Sequence, residues 1–385
     1  MLRGQADERK IEMKKVLGLI VVALVGFGVW KFASQPDEAL SEKPVVKIGA
    51  TLPLTGNAAE HGLTTKAALE MIVENMQKQG LKYDYKLIFE DSQLSPQKTA
   101  ITTNKLINMD KVKAIFSMWN PVSYVVVPIT EKNDMLSFAC SLGDGALKGP
   151  LSFNMVSSLE DQGKVLIEQF RKNNIKTIAS FSDNSAGNLA QTEAVANSVA
   201  SEKDMKVVFF EKFNPGEKDF RTAISKADLL KPDIYVVAMN NPSSFLFIKQ
   251  LGEITEKRNV TSIDFIGEIE SEYRSIANGL WYVDSNHMGN AGFQKELKDK
   301  KGIDVQSCTG NNAANLQIFI TAVENAPLKV GELVPSNQSV AQWIHDNVKD
   351  FKTAAGSITV SPNGHLATYP FVAKIENGKI VPIKE

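Results

Sequence analysis

At 385 residues the chain is longer than a single hydrophobic core usually grows, which favours two compact lobes over one. Apolar residues make up 43% and charged residues 23%, the range of ordinary globular proteins, and leave no long disordered tract. The formal net charge of -1 excludes a nucleic-acid partner, because phosphate binding needs clustered Lys and Arg and here nearly equal acid is interspersed with them.

The first segment reads as an address. Lys14 and Lys15 precede an apolar run, 16–30, which is followed by Lys31 and a polar stretch at 34–43. Met13 would itself serve as a start, so residues 1–12 are set aside as a translated leader or short cytoplasmic tail. The run falls short of the roughly 20 residues that span a bilayer comfortably, which suits a signal peptide. Ala33 has Lys31 two positions before it, a poor cleavage site, so an uncleaved anchor with Lys31 snorkelling is the alternative. No cysteine follows the run, which excludes the usual bacterial lipoprotein anchor. Either way the remainder is expected outside the cytoplasm, in the periplasm or at the cell surface.

From Val45 the stretch VVKIGATLPL reads as a strand, closed by the Thr55-Gly56-Asn57 turn. A helix over 60–79 follows, with Leu63, Ala67, Met71 and Ile72 as its apolar stripe. The rhythm repeats as strand 85–90, helix 96–108, strand 112–118, helix 122–132 and strand 135–139. Ser95 before Pro96 is a sharp helix entry, a cap oxygen followed by the position where proline forfeits no hydrogen bond. A second series runs as helix 159–172, strand 177–182, helix 188–202, strand 206–213, helix 220–229 and strand 233–239. It continues as helix 243–251, strand 263–266, helix 270–276 and strand 280–283. Helices at 292–300, 311–325 and 340–347 come next. A strand at 357–360 and a hairpin over 367–383, turning at Asn377-Gly378, close the chain. Two series of βα units predict an α/β protein with two open parallel sheets, whose ligand site lies in the cleft beyond the carboxyl ends of the strands. Cys140 and Cys308, too few and too far apart for a disulfide framework or a thiolate metal site, are expected buried and reduced, with a bridge between them as the minor alternative.

Five ordered segments carry a resemblance: KIGATLPLTGNAAEHG, FEDSQLSPQKTAITTNKLI, VVVPITEKNDMLSFACS, FNPGEKDFRTAISKADLLKPDIYVVAM and ITVSPNGHLATYPFVAKIENGKIVPI. Over about 45–385 the chain resembles the type I periplasmic binding proteins, in particular the branched-chain amino acid and amide-binding (Leu/Ile/Val-binding) family that serves ATP-driven (ABC) importers. The resemblance implies two Rossmann-like, doubly wound lobes joined by a three-crossover hinge near 154–158, 284–290 and 357–361. Lobe one would take 45–155 plus 286–357, and lobe two 156–285 plus 358–385, after the leader, anchor and spacer of 1–44. It also implies a monomer that closes around a small amino-acid or amide-like ligand and presents it to a membrane permease, with no cofactor. A receptor of the same fold that signals to a membrane partner, instead of delivering cargo, is the rival reading.

Carried over residue by residue, the resemblance puts the grip of lobe one on a ligand carboxylate at Asn120, Ala139 and Ser141, where a hydroxyl and backbone amides near a helix start suit an anion. The alternative for Ser141 is a plain turn cap. Glu268 or Glu270 would meet an ammonium group, or else form a solvated acidic turn. Aromatic positions of the family are filled here by His61, Ala186 and the pair Asn240 and Asn241, which favours a polar ligand over an aliphatic one. Trp119 and Tyr124 are candidates for restoring one wall, or ordinary core. Asn184 and Ser185 stand at the rim of lobe two, or in a plain turn. Enzyme readings lack support. Ser95-Pro96-Gln97-Lys98 and Ser182-Asp183-Asn184 match two motifs of penicillin-recognising enzymes, but no K-T-G strand follows. His61, His287, His345 and His365 form no H-E-x-x-H pair, and no G-x-x-x-x-G-K occurs.

Overall fold

The computed structural model describes residues 43–255, 259–263, 274–285 and 287–383. The apolar run at 16–30, Glu268, Glu270 and the first part of the helix expected at 270–276 lie outside the described residues.

The first series is β1 (Val45–Leu52), α1 (Ala59–Gln77), β2 (Asp84–Asp91), α2 (Pro96–Lys105), β3 (Ala114–Met118), α3 (Asn120–Lys132), β4 (Leu136–Cys140) and β5 (Ser152–Asn154). Its strands form one parallel sheet in the order β2-β1-β3-β4-β5. Every residue of β3 and β4 is buried, the pattern of strands covered on both faces. Across this sheet Phe116, Phe138 and Phe153 form a ladder with ring centroids 5.0 and 5.3 Å apart. The second series is α4 (Leu159–Lys172), β6 (Thr177–Asp183), α5 (Ala186–Ala200), β7 (Lys206–Phe213), α6 (Arg221–Asp228), β8 (Ile234–Ala238), α7 (Ser243–Ile254) and β9 (Val260–Thr261). It makes a second parallel sheet in the order β7-β6-β8-β9. Each sheet reverses its strand order beside its first strand, so the loops after β1, β3, β6 and β8 open on a topological switch point.

The chain then forms α8 (Arg274–Ala277), β10 (Trp281–Asp284), α9 (Ala291–Lys301), α10 (Thr309–Asn325), α11 (Asn337–Asn347), β11 (Phe351–Thr353), β12 (Gly356–Val360), β13 (Leu366–Ala367), β14 (Phe371–Glu376) and β15 (Lys379–Pro382). Asn377 and Gly378, at φ 53 and 73, make the expected tight turn of the last hairpin. That hairpin pairs antiparallel with β10. The largest buried cluster joins apolar residues of 46–156 to residues of 293–366, with Phe319 of α10 packed edge-on against Phe116 and Phe138. Two further clusters draw on 165–283 and on Ala373 and Ile375.

The differences from expectation are local. Ser95 accepts from Lys98 N–H as its cap, but the helix it opens ends at Lys105 and passes into one π-turn over Leu106–Asp110. Leu63, assigned to the apolar stripe of α1, is 49% exposed, while Ala67, Met71 and Ile72 are buried. Of the expected strand 263–266, residues 264–266 lie outside the described residues, and Ile263 makes an isolated bridge to Val283 just after β9. The cysteines depart from the favoured expectation. Cys140 and Cys308 are not reduced but paired, with Cα atoms 5.9 Å apart across 168 residues of sequence. The end of β4 and the cap position of α10 meet only through tertiary packing, which spacing in the sequence does not reveal.

Candidate functional site

The chain leaves β3 through Trp119, whose φ of 64 turns it sharply into α3, and Trp119 N–H donates to Cys140 O at 2.7 Å. The ends of β3 and β4 are thereby joined, and Asn120 faces the loop after β4. Its Oδ1 accepts from Ser141 Oγ at 3.1 Å and from Leu142 N at 3.0 Å, and its Nδ2 donates to Leu142 O at 3.0 Å. Tyr124 OH donates to the same carbonyl at 2.7 Å. From behind, fully buried Asn154 holds the backbone of Ser141, accepting from its N–H at 3.1 Å and donating to its carbonyl at 2.8 Å. Ala139 is buried within β4 and packs with Val127 and Ala146; its carbonyl accepts from Met155 N–H.

At the end of β1, α1 backs onto the chain so closely that a Cβ at Gly62 would stand 2.0 Å from Pro53 O, and only glycine fits. This close approach fixes His61, whose ring lies 4.8 Å from that of Trp119 in an edge-on arrangement. Its Nδ1 is buried without a hydrogen-bond partner. Burial holds the imidazole below its ordinary pKa of 6.5, against the opposing pull of Glu60. Asp91 organises the same loop, accepting from Leu54 N–H at 2.8 Å and from Thr55 Oγ at 2.5 Å. Burial pushes the Asp91 carboxyl up, but these donors together bring it below its usual value.

In the second lobe Asp183, 2% exposed, ties two loops together. Its Oδ1 accepts from Ser185 N–H at 2.9 Å, Ser185 Oγ at 2.5 Å and Asn188 Nδ2 at 2.9 Å, and its Oδ2 accepts from Asn240 N–H at 3.1 Å. Asn184 is exposed and donates to Asn214 Oδ1 at 3.3 Å. Ala186 and Asn240 are exposed, and Asn241 Oδ1 accepts from Ser244 Oγ at 2.5 Å. The lobes touch where α5 begins. A Cβ at Gly187 would lie 3.3 Å from Asn120 Nδ2 and 3.5 Å from Leu142 Cδ1.

Of the residues singled out in the sequence, Asn120 and Ser141 are thus joined by a hydrogen bond, and Asn120 is set against the start of α5 at Gly187, next in sequence to Ala186. His61 stands against Trp119 on the same lobe. Ala139 lies in a strand interior, and Asn184 and Asn241 make contacts within their own lobe. Asp183 and Asn154 went unrecognised. Asp183 carried a signal, as the middle residue of the Ser182-Asp183-Asn184 pattern discounted as an enzyme motif. Asn154 carried none, since the three-residue strand that presents it was not foreseen.

The Leu/Ile/Val-binding protein homolog 2 of Brucella abortus is 24% identical over 395 residues, covering 95% of this chain and 98% of that protein. Among solved structures, a leucine-binding protein of Thermotoga maritima superposes with a TM-score of 0.74 at 19% identity, over 88% of this chain and 98% of that one. A solute-binding protein of R. palustris in complex with benzoate gives a TM-score of 0.72 at 18% identity, over 88% and 95%. At such identities the structural likeness carries the fold and not the ligand. The sequence pattern described as Periplasmic binding protein matches residues 45–379, spanning both parallel sheets and the final hairpin as far as β15, and the chain belongs to that family.

Proposed function

We propose that the chain is the extracytoplasmic receptor of an ATP-driven importer and captures a small polar amino acid or amide-like ligand between its lobes. The observation that carries this reading is the junction at the strand ends, where Asn120, hydrogen-bonded to Ser141 and to the peptide of Leu142, stands with the Leu142 side chain against Gly187 in the first turn of α5. The relatives bear the names of binders of leucine, isoleucine and valine; here His61, Ala186, Asn240 and Asn241 supply little apolar area for such a side chain. The family binds solutes and catalyses nothing, so closure is the working step. A ligand touching both lobes selects the closed arrangement, and a membrane permease reads that arrangement on a monomeric receptor.

In this reading the chain passes between lobes at 154–158, at 284–290 and, later than the sequence suggests, at 367–371. Ile358 and Leu366 pack in the first core, whereas Ala373 and Ile375 pack in the second. The passages lie side by side. Ser157 Oγ and Ser285 Oγ are 2.6 Å apart, and His365 Nδ1 contacts Val156 O at 2.7 Å.

Mass spectrometry of molecules released on denaturing the purified protein, followed by thermal shifts with amino acids, amides, nucleobases and short peptides, tests the reading. A ligand at a hundredfold excess over its Kd stabilises by about 2.7 kcal/mol. A shift with a polar amino acid or amide is expected. A larger shift with leucine or valine overturns the polar assignment, and no shift across the panel favours a receptor that senses a protein partner.

A further inference from the structure

We propose that Cys140, Cys308 and His287 form a thiolate–imidazole site that takes a soft divalent cation of the Zn2+ class once the disulfide is reduced. Among the described residues these three make up the one group of three or more Cys, His, Asp or Glu side chains whose ligand atoms converge, all within 4.8 Å of one another. Cys140 Sγ lies 3.8 Å from His287 Nδ1. Both cysteines are buried, at 1% and 3% exposure, and His287 is half-buried.

The three ligands reach this point from separate elements: the last residue of β4, the residue that caps α10, and the passage between β10 and α9. Backbone contacts hold them there without help from the sulfur–sulfur bond. Trp119 N–H donates to Cys140 O at 2.7 Å, and Gly310 N–H donates to His287 O at 3.2 Å. The passage runs so near the start of α10 that a Cβ at Gly310 would fall 2.3 Å from Gly289 N. Reduction therefore frees two thiols in a frame that is already set. No local spacing announces such a site, because the ligands stand at 140, 287 and 308.

The chemistry balances with an external dithiol as reductant. The dithiol delivers two electrons and two protons, its own sulfurs join as a disulfide, and Cys140 and Cys308 each become a thiol. Binding a divalent cation releases both thiol protons, the two thiolates become ligands, and neutral His287 gives its Nδ1 lone pair while its other nitrogen keeps the proton. Two thiolates and an imidazole suit a tetrahedral preference and select against Mg2+ and Ca2+, which take oxygen ligands. The site does not depend on the proposed solute. It would exchange a covalent tie between β4 and α10 for one that also holds the second interlobe passage.

The test is titration with Co2+ of the full chain in mild detergent, once oxidised and once after anaerobic reduction and removal of the reductant. The reduced protein is expected to bind a single equivalent, with thiolate-to-cobalt charge-transfer absorption and tetrahedral d–d bands that Zn2+ abolishes, and the oxidised protein to show neither. His287→Ala should weaken binding about tenfold or more, and His287→Gln serves where the alanine variant fails to fold. Cys308→Ser should reduce the charge-transfer intensity. A reduced protein that binds no Co2+, affinity unchanged in the His287 variants, or a disulfide that resists reductant in the folded chain each overturns the proposal.

Discussion

Asn120 closes a small ring of hydrogen bonds on the peptide of Leu142 and takes the Ser141 hydroxyl as well. The donors that the family resemblance assigns to a ligand carboxylate are therefore already aimed, and in this arrangement a side-chain carboxamide receives them. Asn120→Ala removes that acceptor and leaves a largely buried N–H and hydroxyl unsatisfied. It is expected to lower stability by about 1–3 kcal/mol and to weaken solute binding, as read by urea unfolding and calorimetry. His61 gives a pH signature. Its folded pKa lies below the ordinary value because burial disfavours the imidazolium, so the unfolded chain takes up protons first as the solution is acidified. The contribution of His61 is complete above about pH 6.5 and is lost as pH falls toward the folded pKa. Melting temperatures between about pH 5 and 8 should show this decline, and His61→Gln should flatten it. His61 could be singled out because it sits in a continuous segment with a recognisable pattern. Asp183 was not, because its role joins residues 57 apart in sequence.

At the scale of elements, β1, β3, β4, β6 and β8 were legible as apolar runs bounded by turn residues, and Leu159–Lys172 and Lys206–Phe213 match the expected bounds. The short β5, β11 and β13 escaped notice because two or three residues carry no period. Each exists through its pairing with a longer neighbour. The loops after β6 and β8 follow the same logic, since their conformation rests on one buried carboxylate. Asp183→Ala would leave Ser185, Asn188 and the Asn240 amide without their acceptor, and a loss of about 3 kcal/mol in urea unfolding is expected, with an unchanged m-value. Asp183→Asn should not restore it fully. Among the backbone and side-chain groups facing Asp183 are donors on both of its oxygens, so a carboxamide NH2 would oppose one of them.

For the whole molecule, two lobes followed from length and from the alternation of strands and helices. The pairing of Cys140 with Cys308 did not, because it is set by a contact between distant parts of the chain. Closure turns on how near the lobes can come, and Gly187 is a point at which they already meet. A single Cβ there would already press on Asn120 Nδ2 at 3.3 Å, so the longer side chain of Gly187→Leu would act as a wedge between α5 and the loop after β4. The substitution replaces glycine by a better helix former, worth roughly 0.8 kcal/mol in the isolated lobe, so the open form should keep its stability. Only the closed arrangement is penalised. Apparent affinity falls in proportion to the population of the binding-competent state, and each 1.4 kcal/mol or so of added closure cost lowers it about tenfold. Gly187→Leu is therefore expected to bind the solute at least about tenfold more weakly, and to lack the ligand-dependent contraction that small-angle scattering is expected to show for the parent chain, while its melting temperature without solute stays within a few degrees. Unchanged affinity with an unchanged contraction would mean that the two lobes close about the solute without bringing α5 against Asn120.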